Sequence, residues 1–256
     1  MSAKKKETLS YWEERAKRVN DLSAVTHSDT FQRQLESDAI LKYLQKGDQV
    51  LDVGCGNGFG TSIFSKHCAR ISGIDFSPAM IARAKVENSR KGKISYKVAD
   101  IRNQKIVGKY SKILTVRCLI NILNWEGQKK ALKNIAGAVK TGGLFLMMEG
   151  IADGRAELNK TRVRLGLNKL PSVAYNLDFE KKRTELVLKK YFTIEKFLTF
   201  GNYELITRIL YPLYVFPAEP TYGSKFHEIA LNVCGNARDF APEISKLGMW
   251  VLKKRG

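Results

Sequence analysis

The stretch VLDVGCGNGFGT, residues 50–61, decides the fold of this 256-residue chain. It opens on an apolar run, carries an acidic residue, Asp52, near its end, and then sets Gly54, Gly56 and Gly58 at alternating positions around Cys55 and Asn57. Glycine has no Cβ and tolerates positive φ, so such a turn lets a ligand lie directly on the backbone. A dinucleotide fingerprint needs glycine at its first, third and sixth positions, and counted from Gly54 the sixth is Phe59. A phosphate loop fails as well, because no Gly-Lys-Ser/Thr follows. Asp52 would repel a pyrophosphate but attract an ammonium group. The turn therefore suits a zwitterionic ligand.

Working outward, apolar strand-like runs alternate with helix-like periodic segments, the pattern of a parallel sheet with crossover helices. Strands are expected at 49–53, 70–74, 94–98, 111–116 and 143–148, and helices at 61–66, 78–90 and 126–139. Pro78 suits the first turn of its helix, and Gly92 is expected to stop it. Thr141-Gly142-Gly143 reads as the turn into the fifth strand. Two later strands, 192–200 and 249–253, would complete a seven-stranded, mostly parallel sheet with an antiparallel edge. The expected fold is thus α/β and Rossmann-like, one domain with helices on both faces and an antiparallel last strand. Residues 1–40 would form a helical lid and 41–150 the ligand-binding core. Segments 151–177 and 202–246 would be insertions over the carboxyl ends of the strands, with 178–201 and 247–256 ending the sheet. Open α/β sheets bind ligands at that edge.

Two more strands end in carboxylates. GIDFSPAM places Asp75 at the end of the second, where it can accept hydrogen bonds from two ribose hydroxyls; Ser77 before Pro78 already serves as the helix cap. VADIRN places Asp100 at the end of the third. Together with the glycine turn, Asp52, Asp75 and Asp100 resemble the cofactor site of class I S-adenosylmethionine-dependent methyltransferases. The resemblance implies S-adenosylmethionine as cofactor and S-adenosylhomocysteine as product. It further implies that Asp100 receives the adenine amino group, that Ala99 and Ile101 sandwich the ring, and that Phe76 and Met80 cover its other side. YWEERA, 11–16, is similar to the lid helix of bacterial members, which brings Tyr11 and Arg15 toward the methionine carboxylate. An alternative for Tyr11 and Trp12 is a hydrophobic staple of lid to core. VRCLINILNW corresponds to the segment passing the transfer centre, with Arg117, Cys118 and Asn121 beside the cofactor. The tail, with FHEIA and GMWVLKKR, looks like that of a bacterial subgroup modifying sugars and surface glycans.

A methyl acceptor that is a hydroxyl needs a base as its proton becomes acidic, and a protonated amine must first lose its proton. His27, Glu149 and His227 are the candidate bases, whereas His67 falls on the wrong side of the glycine turn. Tyr175, Tyr203, Tyr211, Tyr214 and Tyr222 lie in the insertions, where they either line an aromatic or sugar-sized pocket or simply pack. Cys118 raises covalent pyrimidine methylation, but Arg117 replaces the proline that accompanies such a cysteine. The signature for base-amine methylation is replaced by Arg117-Cys118-Leu119-Ile120.

The chain carries 44 Lys+Arg against 25 Asp+Glu, a formal charge of +19. That balance favours an acidic partner or a lysine-rich solvated surface, and the basic residues form no single dense block. Four scattered cysteines lack CxxC or disulfide-like spacing, so no metal is expected. No apolar stretch reaches the ~18 residues of a membrane span, no signal-peptide core follows the basic start, and the cytoplasm is the expected location. The leading function is methyl transfer to a hydroxyl or amine of a small molecule, a sugar, glycan or phosphate-bearing metabolite. An RNA methyltransferase using the basic surface and a non-catalytic cofactor-binding protein are the alternatives.

Overall fold

The computed structural model describes residues 3–21, 24–26, 28–88 and 92–256. Seven strands, β1 Gln49–Val53, β2 Arg70–Asp75, β3 Ile94–Val98, β4 Tyr110–Val116, β5 Val139–Gly150, β6 Phe192–Thr199 and β7 Leu247–Lys254, form one sheet. Their order is β3-β2-β1-β4-β5-β7-β6. The first five pair in parallel, and β7 runs antiparallel to both β5 and β6. The last strand is antiparallel, as expected, and it lies between β5 and β6 rather than outermost. Its residues explain the position: Leu247–Leu252 is buried throughout, whereas the outermost strand β6 is largely half-buried or exposed. A strand covered on both faces and both edges tolerates an unbroken apolar run.

Helices α1 Ala3–Arg18 and α2 Thr30–Leu41 precede the sheet, and α3 Phe59–Phe64, α4 Pro78–Glu87 and α5 Trp125–Ala138 alternate with its strands. The later helices are α6 Ala152–Arg164, α7 Lys181–Leu188, α8 Gly201–Glu204, α9 Tyr211–Val215 and α10 Lys225–Asn236. Successive strand residues face opposite sides, and the core divides accordingly. Leu51, Ile113, Phe145, Trp250 and Leu252 pack with Leu132 and Ile135 of α5. Val50, Leu114, Leu146, Met249 and Val251 pack on the other face with Ile40 of α2 and Tyr203 of α8.

Two local expectations change. Helix α4 ends at Glu87, where Asn88 N–H returns to Ala84 O, several residues before Gly92. Thr141-Gly142-Gly143 lies within β5 rather than before it: pairing slips from Tyr110↔Val139 to Lys112↔Leu144, and Gly142 takes φ 74° at the slip.

The lid helix is fastened by its polar residues. The Glu13 carboxylate accepts from Ser77 Oγ at 2.5 Å and Ala79 N at 3.1 Å, while Arg83 of α4 donates to Ala16 O at 2.9 Å and Val19 O at 2.6 Å. The first contacts place a carboxylate at the amino end of α4, where unpaired N–H groups favour negative charge. On the opposite side, α8 and α9 are joined by a π-helical turn, Leu205–Leu210. Such turns shift the helical register and often serve a site. Here the turn carries Arg208, whose guanidinium meets the α2 cap Asp29 at 2.7 Å.

Candidate active site

At the carboxyl edge of β1, the chain turns through Gly54, Gly56 and Gly58 with φ of 76°, 55° and 77°. Gly54 N–H donates to Ile74 O at 2.7 Å, drawing the turn against β2. A Cβ on Gly54 would fall 2.2 Å from Cys118 Sγ, and one on Gly56 would fall 2.7 Å from Thr26 Cγ2. Bare backbone at these two positions is therefore required sterically as well as conformationally. Gly58 serves differently: its missing Cβ makes room for the Tyr96 hydroxyl, 2.4 Å away, so it permits helix–strand packing and does not line the cavity.

Beyond the turn lies a cavity of about 490 Å³. Asp52, Asp75 and Asp100 all reach it from three adjacent strand ends, with Cys55 and Asn57 between them. Asp75 accepts Gly56 N–H at 3.0 Å and Ser77 N–H at 2.9 Å, so one carboxylate ties the glycine turn to the cap of α4. Burial raises Asp75 to about 6, against the pull of those backbone bonds. Asp52 accepts from Thr61 Oγ1 at 2.6 Å, and burial raises it to about 7. Asp100 receives Arg102 in a fork, Nε at 2.8 Å and Nη2 at 2.9 Å. Arg102 N–H and Asn103 Nδ2 donate to the same carboxylate at 3.1 Å each, so its roughly four acceptor positions are occupied and a further donor has to displace one of these.

Residues 50–143, which hold the turn and the strand-end aspartates, match the family described as a methyltransferase domain. These residues are similar to a methyltransferase domain, and the sheet has the Rossmann-like fold of solved methyltransferase structures. Ubiquinone biosynthesis O-methyltransferase of Coxiella burnetii is 32% identical over 109 residues, which span 40% of this chain and 46% of that protein. The chain thus spans about half the length of this curated relative. Among solved structures, the N-methyltransferase NodS of Bradyrhizobium japonicum, bound to S-adenosyl-l-homocysteine, aligns with a TM-score of 0.61 at 15% identity, covering 97% of this chain and 99% of NodS. Magnesium protoporphyrin IX methyltransferase of Synechocystis, also with bound S-adenosylhomocysteine, gives 0.62 at 14% identity, covering 98% and 100%.

The residues of this site fit S-adenosylmethionine: a turn with no room for a Cβ, an Asp75 with acceptor capacity left, and an apolar slot. Phe76, Met80, Ala99 and Ile101 all line the cavity beside Asp100. Tyr11, Arg15, Arg117, Cys118 and Asn121 line it too. Their contacts qualify the anticipated roles. Arg15 commits Nε to Val25 O and Nη2 to Ala24 O, so it straps the loop after α1. Tyr11 stacks on Tyr175 with centroids 4.1 Å apart, and the two hydroxyls are 2.9 Å apart. This pair joins lid to first insertion across the cavity, a contact beyond the simple staple. Asn121 donates to Tyr175 O at 3.1 Å and Asn176 Oδ1 at 2.8 Å, holding the same crossing segment. Burial, helped by Glu149, Asp75 and Asp52, pushes the Cys118 thiol well up, which keeps it protonated and opposes a nucleophilic role.

The structure also relocates the candidate bases. Glu149 is fully buried beneath the cavity, and its oxygens receive Leu119 N–H at 3.0 Å and Ile120 N–H at 3.3 Å. It caps the 3₁₀ turn Leu119–Asn121 and does not line the cavity, so it is structural. Replacing it with alanine should cost about 2–4 kcal/mol, because two buried amides lose their acceptor. Urea unfolding would show the loss, and a change under ~0.5 kcal/mol would remove the cap from this account. His227 is likewise buried behind the wall: Nδ1 meets Ser224 Oγ at 2.8 Å, and Nε2 lies 3.7 Å from Asp29. His67 is exposed. His27 lies outside the described residues. Among the described residues, no histidine lines the cavity. Tyr175 and Tyr222 do line it, whereas Tyr203, Tyr211 and Tyr214 do not.

Sequence reasoning missed the charged side chains that α2 and the insertions bring to the cavity. Arg33 and Glu36 of α2 line it, as do Arg155, Asp178, Arg208 and Lys246. Most are paired: Arg155 with Asp178 at 2.5 Å, Arg208 with Asp29, and Lys246 with Glu204 at 2.7 Å. Burial pulls Lys246 down to about 8. A signal existed in α2, where Arg33, Glu36, Ser37 and Ile40 share one helical face, so charges sit where apolar residues are expected.

The raised Asp52 makes a testable link. Its ionised form is disfavoured by the fold, so its contribution to stability is present below the free carboxyl range and lost as pH rises through about 7. Without cofactor, Asp52→Asn should gain stability relative to wild type as pH climbs from ~5 to ~8, read from urea midpoints. A difference that does not vary with pH would refute the assignment.

Proposed function

We propose that this chain is an S-adenosylmethionine-dependent methyltransferase acting on a hydroxyl or amine of a small molecule, in the sugar, glycan or phosphate-bearing class. The observation that carries the reading is one cavity with the glycine turn and strand-end aspartates at one end and insertion side chains at the other. Arg155, Arg208 and Lys246 supply positive charge there, and Tyr175 and Tyr222 supply ring faces. The ubiquinone O-methyltransferase likeness supports a small-molecule acceptor.

S-adenosylmethionine supplies a methyl group already activated on a sulfonium, so the protein has mainly to position, align and dry the acceptor. Gly54 and Gly56 would accept the amino-acid end on bare backbone, Asp75 the ribose hydroxyls, and Asp100 the adenine amino group, with Ile101 and Met80 against the ring. The Tyr11–Tyr175 stack ties lid to insertion, which keeps bulk water from the acceptor. Glu149 and His227, walled off from the cavity, take no part in proton transfer. No helix among the described residues is long and apolar enough to cross a membrane.

Transfer of labelled methyl from S-adenosylmethionine into separated RNA, protein, lipid and small-molecule fractions of an extract tests the reading. Label in the small-molecule fraction, with nucleotide-linked sugars and glycans resolved, is expected. Label confined to RNA would make the +19 surface the substrate track; no label in any fraction would favour a cofactor-binding protein without turnover.

A further inference from the structure

Glu36 is 1% exposed, yet it lines the cavity, and neither of its carboxylate oxygens holds a hydrogen bond among the described residues. Its neighbour is the Arg117 guanidinium, with Nη2 3.0 Å from Oε2. Arg117 itself sits at φ 50°, the one non-glycine residue with positive φ among those described. That conformation costs about 1–2 kcal/mol for a side chain with a Cβ. It is held at the end of β4, where the adjoining Cys118 presses on Gly54 of the cofactor turn. Arg33, one turn earlier on α2, adds a second cation near the same carboxylate.

Buried polar atoms are almost always hydrogen-bonded, and a buried carboxylate that has an ion pair but no hydrogen bond is incompletely satisfied. Glu36 therefore calls for a hydrogen donor arriving in the cavity. The flanking guanidiniums choose which donor. An ammonium acceptor would meet two cations beside one anion, whereas a neutral hydroxyl can donate to Glu36 and leave a developing oxyanion facing Arg117. Resting on the methyltransferase reading above, we infer that Glu36 and Arg117 form the acceptor seat, that the acceptor atom is a hydroxyl oxygen, and that Glu36 is its general base. In the step, the acceptor O–H bond breaks and the proton passes to a Glu36 oxygen. The oxygen pair forms the new bond to the methyl carbon, and the pair of the broken carbon–sulfur bond stays on sulfur. The proton thus leaves the acceptor without help from His67 or His227.

Burial raises the Glu36 carboxyl, opposed by Arg117, Arg33 and Lys246 and reinforced by Asp29. The transfer rate should therefore climb with pH as Glu36 ionises. The test compares wild type, Glu36→Gln and Glu36→Asp in three measurements: S-adenosylhomocysteine binding by calorimetry, transfer into the fraction that wild type labels, and the carbon-13 shift of the transferred methyl. Glu36→Gln should bind S-adenosylhomocysteine within a few-fold of wild type, lose about 100-fold or more in transfer, and lose the rising limb of the pH profile. Glu36→Asp should recover part of the rate, and the methyl should resonate as an O-methyl. Several results would overturn the inference while sparing the methyltransferase reading: transfer by Glu36→Gln at the wild-type rate, a parallel loss of S-adenosylhomocysteine binding, or an N-methyl product. Failure of wild type to transfer methyl at all would overturn both.

Discussion

Alanine at Gly54 should abolish cofactor binding and cost about 2–5 kcal/mol of stability. Two effects add. The backbone holds φ 76°, which costs a residue with a Cβ about 1–2 kcal/mol, and the new methyl would lie 2.2 Å from Cys118 Sγ and 2.5 Å from Cys118 Cβ. Overpacking of this kind typically costs a further ~1–3 kcal/mol. The pair of distances allows a sharper check: removing only the sulfur, as Cys118→Ala, should not rescue the variant, because the Cβ remains in the way. Calorimetric titration with S-adenosylhomocysteine and urea unfolding would measure both losses. Binding near the wild-type level with a stability change under ~0.5 kcal/mol would contradict the packing described at this turn.

Asp75→Ala is expected to weaken cofactor binding about 10- to 100-fold, corresponding to about 1.4–2.8 kcal/mol. The effect should exceed the loss of one ribose partner. Asp75 also receives the amides of Gly56 and Ser77, so its removal frees the turn that presents the backbone and strips the cap of α4 of its tie. Asp75→Asn keeps the shape but faces one amide donor with another, and it should fall between alanine and wild type. Titration of all three proteins with S-adenosylhomocysteine decides the matter; equal affinities would mean that Asp75 organises nothing in the cofactor site.

The cofactor end of the site was legible because it is local. The Gly54-x-Gly56-x-Gly58 spacing, the carboxylates closing β1, β2 and β3, and the Ser77-Pro78 cap each follow from short-range geometry. Their neighbours in the expected cofactor set need no long-range argument either, except Tyr11 and Arg15, which depend on where the lid docks. The acceptor end was not legible, because it is assembled from α2, α6, the π-helical turn Leu205–Leu210 and the start of β7, segments far apart in sequence. Glu149 misled for the same reason: a carboxylate ending a strand reads as a site residue, but here it turns inward to two amides. His227 misled because an insertion residue can face either the cavity or the helices behind it.

By itself, the sequence determined the strand and helix alternation, the parallel core and the glycine turn, since hydrophobic period and backbone permissiveness are written residue by residue. Only the tertiary structure decided that β7 slips between β5 and β6, that Arg117 is held at positive φ against Glu36, and that the candidate histidine and glutamate are sealed from the cavity. Those outcomes depend on which buried surfaces and charges meet after the chain has closed on itself, and packing at that range leaves no periodic mark in the sequence.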